Sequence, residues 1–387
     1  MKNILILFFI IIQSCISKSQ ETNEKIENKN IDSILINEND YKNINLKKNN
    51  YNLNNFYNKK LDLIADSIIQ TMNNKEIVGQ MIIVAYGKYG YESKKIKNLI
   101  ELKYVGGILM LNGEKNDFIS KIKDFKKFAN EKKSMPIIFS ADAEPTLINQ
   151  KIIGTKIISK TNTITDNQKC IDVVKKINEE LNEIGIQHNF APVSDLSLNK
   201  AIIGNRSFSN NKNKVIELSK IFIETSMNEN ILTTIKHFPG HGLVKGDSHK
   251  NIVFIDGKMQ ELQIFEQLIG NSLSIMIGHI IVKNNEYSEN NLPASCSRKI
   301  VTNLLREKLK YKGIIITDAL NMGALSKINS PAIKAILAGN DMIIMPSNEI
   351  DFVEKLILLM NHDDKINSQI KESVKRIIKL KICLKLI

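Results

Sequence analysis

The sequence of 387 residues contains no tryptophan, only four cysteines and 6% aromatic residues. Without tryptophan, any aromatic platform for a ligand must come from phenylalanine, tyrosine or histidine. The cysteines show neither a CxxC pair nor a metal-ligand spacing, which argues against a disulfide framework and a cysteine-based metal site. We predict that three of them are buried thiols: Cys170, Cys296 and Cys383.

The N-terminus lacks the run of about 20 apolar residues that a helix needs to cross a bilayer. The shorter run Ile4–Ile12 follows the positive charge of Lys2 and leads into Gln13-Ser14-Cys15, so that the segment resembles a lipobox. This pattern predicts a lipoprotein signal peptide over residues 1–15, with the lipid on Cys15. The protein would then belong to the cell envelope, anchored in the periplasm or at the outer membrane. Plain secretion and an uncleaved anchor are the alternatives.

Basic residues outnumber acidic ones, which gives a formal net charge of +13. Such a charge is typical of proteins that contact nucleic acid, an anionic membrane or an anionic wall polymer. Here the lysines are spread along the whole chain beside many asparagines and isoleucines, and no compact basic cluster contains interleaved aromatic residues. We attribute the charge to codon bias and expect no nucleic-acid partner. A functional basic face is the alternative.

Residues 16–58 contain few apolar side chains among many Asn, Lys, Glu and Ser residues. Such a segment cannot bury enough surface to offset the entropy lost on ordering, so we predict a disordered tether. From residue 59 to residue 387, short apolar runs alternate with longer amphipathic stretches rich in lysine. The sequence thus predicts one folded domain over 59–387, which we expect to be a monomer.

Eight apolar runs of strand length occur in this domain. Most show no polar alternation, as expected of strands that are buried on both faces. The runs are Gln80–Tyr86, Gly107–Leu111, Pro136–Ser140, Gln187–Pro192, Leu232–His237, Ser274–His279, Gly313–Thr317 and Asp341–Met345. Helices are predicted between them, for example over Phe118–Lys132, Cys170–Glu183, Lys214–Asn228 and Lys299–Leu309. This alternation predicts an α/β fold, a TIM-type (β/α)8 barrel with a single catalytic domain.

The alternative architecture, an open doubly wound sheet, would carry a glycine-rich phosphate loop after its first strand. That region offers only Gly87 and Gly90, so the barrel is favoured. Active sites of such barrels lie at the carboxyl ends of the strands. Ionisable side chains end or follow several of the runs, and these are Asp142, Glu144, Asp195, Lys236, His237, His279 and Asp318. Their position predicts a catalytic rim.

The segment Lys236–Gly242 and the following Asp247-Ser248-His249 hold three of the six histidines. The Pro-Gly pair inside the first segment excludes a helix, so its histidines do not share a helical face. Three interpretations are open. The histidines and Asp247 could bind a metal. His249 could be a catalytic group that Asp247 orients and makes more basic. The segment could also be a polar loop whose histidines have structural partners only.

Asp318 follows the buried run Gly313–Thr317 as a lone carboxylate at a strand end. A carboxylate in that position can attack an anomeric carbon. Retaining glycosidases need such a nucleophile and an acid/base group on opposite sides of the scissile bond. Both are usually carboxylic acids, whereas here the partner would be a His–Asp pair.

The segment from Lys236 to His249 and the segment around Asp318 resemble glycoside hydrolase family 3, in its bacterial β-N-acetylhexosaminidase branch. The resemblance extends from about residue 75 to residue 350. The segment from Lys236 to His249 carries it most specifically. Further matching blocks are Ala191–Asp195, Ile203–Phe208, Leu292–Ser295, Thr317–Ala324 and Ala338–Met342.

The resemblance implies a retaining exo-β-N-acetylglucosaminidase that releases terminal β-linked N-acetylglucosamine from peptidoglycan fragments. Asp318 would be the nucleophile that forms a covalent intermediate, and His249, paired with Asp247, would be the acid/base. The branch needs no metal or other cofactor. The residues implied in binding sugar hydroxyls and the acetamido group are Asp142, Arg206, Lys236 and His237.

Two departures from the family pattern follow Asp142. Pro145 stands where glycine is usual, and Gln150 stands where an arginine near the sugar is expected. The loss of that charge should weaken sugar contacts. This supports one alternative hypothesis, a non-catalytic lipoprotein that binds peptidoglycan. A second alternative is a phosphorylase, because a histidine acid/base carries no negative charge that would repel phosphate.

Overall fold

The computed structural model describes residues 52–248 and 251–387. The predicted signal peptide with Cys15, most of the predicted tether, and His249 lie outside the described residues.

Thirteen strand segments lie in the described part of the chain. They are β1 (Ile82–Tyr86), β2 (Gly107–Met110), β3 (Gly113–Glu114), β4 (Ile138–Ala141), β5 (Ile152–Ile153), β6 (His188–Asn189), β7 (Leu232–Thr233), β8 (Ile235–Phe238), β9 (Val253–Asp256), β10 (Ser274–Ile277), β11 (Ile280–Lys283), β12 (Ile314–Ala319) and β13 (Met342–Ile344). Nine form one parallel sheet in the order β7-β6-β4-β2-β1-β13-β12-β10-β8. The other four form two short ladders, β3 with β5 and β9 with β11.

The sheet closes into a barrel through its fifth apolar run. Thr234 interrupts this run and divides it into β7, which pairs with β6, and β8, which pairs with β10. The amide of Thr234 donates to the carbonyls of Asn189 and Ala191, each at 3.0 Å, and a single bridge joins Val193 to Lys236. All eight predicted runs therefore contribute to one parallel sheet, and the predicted TIM-type (β/α)8 barrel is confirmed.

Helices precede the first barrel strand, occupy connections between the strands and follow the last strand. They are α1 (Lys59–Gln70), α2 (Asn74–Gly79), α3 (Ser93–Glu101), α4 (Lys115–Glu131), α5 (Ile148–Lys151), α6 (Asn167–Ile184), α7 (Lys212–Asn228), α8 (Leu262–Leu268), the π-helix Lys299–Lys308, α9 (Pro331–Ala338), α10 (Glu349–His362) and α11 (Asp364–Cys383). The four helices predicted by example are present, with ends within three residues of the prediction. Within residues 52–248 and 251–387, no helix has the length and apolarity that crossing a membrane requires.

Helix α6 illustrates how the sequence sets these bounds. The side chain of Asp166 caps its first turn by accepting a hydrogen bond from the amide of Lys169 at 2.9 Å. Gly185 ends the helix in the left-handed conformation, with φ of 92°, where a side chain is strained. Ile177 and Leu181 lie four residues apart on the face that is fully buried against the barrel.

One hydrophobic core extends through the barrel and the helices around it. The three cysteines of the described part, Cys170, Cys296 and Cys383, are buried and free, which confirms the prediction of buried thiols.

The folded domain begins before residue 59. Leu53 and Phe56, within the predicted tether, are each only 1% exposed, and a short turn over Leu53–Asn55 packs against α11. The predicted boundary between residues 58 and 59 is therefore wrong. Two buried apolar side chains are enough to pack this stretch against the domain. The prediction missed them because it relied on the average composition of the segment, which is polar.

Candidate active site

The carboxyl ends of the barrel strands surround a cavity of about 360 Å3. Its wall is largely apolar, with Phe190 and Met276 among the contributing side chains. Five of the residues predicted from the sequence line this cavity together: Asp142, Arg206, Lys236, His237 and Asp318. The strand ends therefore bring the predicted nucleophile and the predicted sugar-binding residues to one place.

Asp142 follows β4 and accepts hydrogen bonds from two lysines, Lys236 on β8 and Lys151 at the end of α5. Burial alone would raise the pKa of Asp142, but Lys151, Lys236 and Arg206 hold it well below its usual range. Lys151 has no role in the sequence-based prediction. It stands next to Gln150, so the cation expected at that position is supplied one residue later, and the predicted loss of charge does not occur.

Glu144, which is completely buried, fixes the two other cations of the cavity. Arg206 donates to it through Nε at 2.8 Å and through Nη2 at 2.6 Å, and Lys236 Nζ lies 2.6 Å from Oε1. Burial opposes the charge of Glu144, yet Arg206 and Lys236 lower its pKa. The sequence placed this residue on the predicted rim without a role. Its signal is its position two residues after Asp142, and both carboxylates contact Lys236.

The ring of His237 is oriented by Asp195, a buried carboxylate after β6. Nδ1 of His237 lies 2.6 Å from Asp195 Oδ2, and the amides of His237 and His241 donate to the same carboxylate. Burial would raise the pKa of Asp195, but His237 and His241 lower it. With Nδ1 bound to the carboxylate, the remaining ring nitrogen of His237 can serve a ligand in the cavity.

His241 holds the segment that contains Ser248. Its Nδ1 accepts a hydrogen bond from the side-chain amide of Asn199 at 3.2 Å, and its Nε2 lies 2.8 Å from Ser248 Oγ. Burial and the nearby His237 lower the pKa of His241, so the ring is neutral at pH 7 and donates from Nε2. His237 and His241, two of the possible metal ligands, are thus hydrogen-bonded to Asp195 and Ser248, respectively. In the part of the chain that the structure describes, no three potential metal ligands come together.

Asp318, at the carboxyl end of β12, accepts a hydrogen bond from the amide of Ala319 at 2.8 Å. The ring of His279 supports this turn, because Nε2 lies 2.9 Å from the Ala319 carbonyl and Nδ1 lies 2.8 Å from Ser295 Oγ. The carbonyl of Ser248 accepts from the amide of Ala324 at 3.3 Å. The segment with Asp247 therefore packs beside the turn after Asp318, although Asp247 itself does not line the cavity.

A second carboxylate that sequence reasoning missed, Glu261, anchors the loop after β8. It accepts from the amides of Leu196 at 2.7 Å and Leu243 at 2.9 Å. Burial and the nearby Asp195 raise the pKa of Glu261 to about 8. Gly242 passes so close that a Cβ there would lie 2.1 Å from the Leu196 carbonyl, which explains the small residue at this point of the loop.

Fold and cavity together define a barrel whose pocket suits a ligand with many hydroxyl groups, because it offers charged donors and acceptors within an apolar wall. The model of the glycosyl hydrolase family 3 N-terminal domain matches residues 73–380. The chain therefore belongs to glycosyl hydrolase family 3.

Relatives of known name support this assignment. The chain is 30% identical over 365 residues to beta-hexosaminidase A of Pseudoalteromonas piscicida, covering 80% of this chain and 61% of that protein. It is 30% identical over 283 residues to the beta-hexosaminidase of Photobacterium profundum, covering 69% of this chain and 82% of that protein.

Among solved structures, a glycoside hydrolase family 3 beta-N-acetylglucosaminidase from a Paenibacillus strain is similar, with a TM-score of 0.74 and 26% identity. The similarity covers 82% of this chain and 63% of the Paenibacillus chain. The chain thus spans less than two thirds of the Pseudoalteromonas and Paenibacillus proteins.

Proposed function

We propose that this protein is a retaining exo-β-N-acetylglucosaminidase that hydrolyses terminal β-linked N-acetylglucosamine from peptidoglycan fragments. The observation that carries the proposal is the shared cavity, in which Asp318 lies with Asp142, Arg206, Lys236 and His237. The names of the relatives, beta-hexosaminidase and beta-N-acetylglucosaminidase, agree with this choice of sugar.

In the proposed reaction, the Asp318 carboxylate attacks the anomeric carbon and forms a glycosyl ester while the bond from that carbon to the leaving oxygen breaks. The imidazolium of His249 gives its proton to the departing oxygen. His249 then removes a proton from a water molecule, which attacks the same carbon and releases Asp318. Asp247 makes the imidazole more basic, so that it can carry the proton between the two steps.

The sugar would be held by groups that the protein has already fixed. Asp142 can accept hydrogen bonds from two hydroxyl groups, and Arg206 and Lys236 donate to hydroxyl or carbonyl oxygens. Since Glu144 holds both cations in place, little reorganisation is needed when a substrate binds. His237, oriented by Asp195, adds a further hydrogen-bonding group.

The test uses p-nitrophenyl β-N-acetylglucosaminide and a 5-fluoro or 2-fluoro glycosyl probe. We expect turnover, and we expect peptide mass mapping to locate the trapped sugar on Asp318. Asp318→Asn should lower kcat by about 10⁴-fold or more, whereas Asp172→Asn on the outer face of α6 should leave kcat unchanged. Labelling of another residue, or full activity of Asp318→Asn, would contradict the proposal.

The same preparation decides between this proposal and the two alternatives. Muropeptides incubated with phosphate should yield free N-acetylglucosamine, whereas a phosphorylase would yield the sugar 1-phosphate. Binding to peptidoglycan without any turnover would identify a wall-binding lipoprotein instead.

We further propose that a lipid on Cys15 holds this enzyme in the cell envelope, and that one chain forms the complete site. The observation that supports the anchor is the lipobox-like sequence before Cys15. The observation that supports a single-chain site is that Asp142, Arg206, Lys236, His237 and Asp318 of one barrel line the same cavity. Cys15→Ser should move the protein from the membrane to the soluble fraction. An unchanged membrane fraction would contradict the anchor, and light scattering after size-exclusion chromatography would measure the mass of the soluble form.

A further inference from the structure

A groove of about 640 Å3 lies at the end of the barrel opposite the candidate active site. It is lined by the segments that lead into β10 and β12, by α1 and α11, and by the stretch just before α1. Because the lining segments precede their strands, the groove belongs to the amino end of the barrel, whereas Asp318 lies at the carboxyl end. No residue that lines this groove has a role in the function proposed above.

Cations dominate the lining of the groove. Six of the lining side chains are cationic and two are carboxylates: Lys59, Lys310, Lys312, Lys375, Arg376 and Lys379 against Asp62 and Glu372. The six cations come from three separate stretches of the chain, so the sequence shows no compact basic cluster. The fold brings them together into the functional basic face that the net charge left open as an alternative.

Three of the cations form the floor of the groove and are already paired. Lys379 Nζ lies 2.6 Å from an oxygen of Asp62, and Lys375 Nζ lies 2.7 Å from an oxygen of Asp66, so that α1 holds both lysines of α11. Arg376 donates through Nε at 2.9 Å to a fully buried carboxylate of the barrel. These pairs fix the shape of the floor and compensate much of its charge.

The other three cations, Lys59, Lys310 and Lys312, are not compensated. All three are exposed. Within residues 52–248 and 251–387, none of them forms an ion pair or a side-chain hydrogen bond. The ammonium group of lysine is a compact, flexible point charge, which suits phosphate groups. These lysines are therefore available to bind an anion from outside the protein.

Tyr57 adds an exposed aromatic side chain beside these lysines. Its ring contacts that of Phe56 edge to face, with 5.2 Å between the centroids, and the residue remains 49% exposed. Tyrosine is enriched at the headgroup level of membranes, because its ring is apolar and its hydroxyl is polar. Lysines next to an exposed tyrosine suit an anionic surface that is partly apolar, rather than a small soluble anion.

The chain also enters the folded domain at this groove. The described residues begin at Asn52, the turn Leu53–Asn55 packs against α11, and Tyr57 then lines the groove. Residues 16–51, predicted as a tether, would span about 30–36 Å as a flexible chain. A lipid on Cys15 would thus keep a membrane within reach of the groove.

We propose that this groove binds anionic phospholipid headgroups of the membrane that carries the proposed anchor, through Lys59, Lys310 and Lys312. Docked in this way, the barrel turns its carboxyl-end cavity away from the membrane, where the cavity is open to substrate. The choice of occupant rests on the proposed lipid on Cys15. The groove itself depends neither on Asp318 nor on the choice of sugar.

The test uses the chain without residues 1–15, which keeps the whole described domain and cannot carry the lipid. Its co-sedimentation is measured with vesicles of phosphatidylcholine alone and of an equal mixture with phosphatidylglycerol. We expect binding to the anionic vesicles only, with a loss at high salt. Combining Lys59→Gln, Lys310→Gln and Lys312→Gln should lower the partition coefficient by about 100-fold, the combined effect of three lysines near an anionic surface.

The matched control combines Lys123→Gln, Lys175→Gln and Lys176→Gln, which removes the same charge from exposed positions on α4 and α6. It should keep the partition coefficient within about twofold, because charges farther from the membrane than the Debye length are screened. Both triple variants should keep the urea midpoint and the kcat of the wild type, since the groove lies at the far end of the barrel from the candidate active site.

Several results would overturn the proposal. Equal losses in the two triple variants would assign the binding to overall charge, and equal binding to neutral vesicles would exclude the headgroup charge. Displacement from the vesicles by glycerol 3-phosphate, beyond that by sodium chloride of the same ionic strength, would assign the groove to a soluble phosphate compound. If the groove variant lost binding to purified peptidoglycan but not to vesicles, the groove would instead belong to the wall polymer.

The anchor and the groove can fail separately. If Cys15→Ser stays in the membrane fraction after a high-salt wash while the vesicle results are as expected, the proposed anchor is contradicted and the groove is supported. Loss of the anchored protein from the membrane in Cys15→Ser, without any vesicle binding by the chain from residue 16, would contradict the groove alone.

Discussion

Two buried lysines at opposite ends of the barrel differ in the direction in which their pKa is shifted, because their partners differ. Lys236, at the carboxyl end of the strands, lies between the carboxylates of Asp142 and Glu144. Among residues 52–248 and 251–387, the partners of Lys381, at the amino end, are two neutral oxygens, those of the Gln80 side chain and the Pro136 carbonyl. Burial disfavours the charge at both sites.

At Lys236 the two carboxylates overcome burial and raise the pKa above its usual value. At Lys381 no carboxylate opposes burial, which lowers the pKa to about 7. The comparison teaches that burial by itself does not mark a functional charge. A charge that is balanced by carboxylates beside a cavity can bind a ligand, whereas a buried lysine with neutral partners contributes mainly to how stability varies with pH.

The largest expected effect comes from removing the balanced lysine. Lys236→Met leaves Asp142 and Glu144 buried with less compensation, so it should destabilise the fold by about 3–5 kcal/mol. It should also lower kcat/KM of the folded fraction by about 10³-fold, because a charged hydrogen-bond donor to the sugar and the fixed geometry of Asp142 are both lost. Urea unfolding and steady-state kinetics measure the two effects. A variant with normal kcat/KM would show that this cluster is only structural.

An intermediate effect is expected at the other end of the barrel. Because the folded pKa of Lys381 is about 7 and the unfolded value is about 10.4, only the unfolded chain holds this proton between those pH values. The free energy of unfolding should therefore rise with pH in this window by up to about 1.4 kcal/mol per pH unit. It should level off below the folded pKa, where both states are protonated.

Lys381→Met should remove this slope and leave kcat/KM unchanged. Urea unfolding of wild type and variant across the window isolates the contribution of Lys381, since other groups cancel in the difference. Parallel curves would show that Lys381 stays charged in the folded protein. The same comparison of wild type with Lys236→Met should show no such slope in this pH window. Because the pKa of Lys236 is raised, its contribution to the free energy of unfolding is lost only at higher pH.

The smallest effect concerns Lys151, the partly exposed second partner of Asp142. Lys151→Gln should lower kcat/KM by about tenfold, the value of one charge-assisted contact. It should change stability little, because Lys236 still pairs with Asp142. Adding Gln150→Arg to this variant should recover activity by returning a cation to the neighbouring position. Lys156→Gln, at an exposed ion pair with Glu179, is the control and should have no effect.

Much of the fold was predictable because burial on both faces leaves continuous apolar runs, and all eight runs became barrel strands. The interruption at Thr234 was not predictable, since threonine is common in strands and nothing in Leu232–His237 marks a break between Thr233 and Ile235. The start of the domain was also missed, because Leu53 and Phe56 acquire their importance only by packing against α11.

The candidate site shows the same division. Asp142, Lys236 and Asp318 could be predicted to converge because strand ends in a barrel share one rim. Glu144 and its partner Arg206 are 62 residues apart, and no local pattern reveals that pair. Lys151 escaped prediction because the family pattern directs attention to position 150. Glu144 and Lys151 act by contacting other residues of the site. Such contacts depend on distances in space, which the spacing of residues along the chain does not reveal.

The short segments β6 and β7 indicate which part of the barrel wall should open first in local unfolding. Each contains two residues, so the regular strand pairing on this side is brief and continues as irregular backbone hydrogen bonds, such as that from the Ser194 amide to the Lys236 carbonyl at 2.8 Å. Strand β8 with Lys236 and His237 lies next to that seam. A sugar bound between Asp142, which follows β4, and Lys236 on β8 would span the seam from inside. Ligand occupancy should thus slow amide hydrogen exchange most strongly in this part of the wall, and least at the amino ends of the strands.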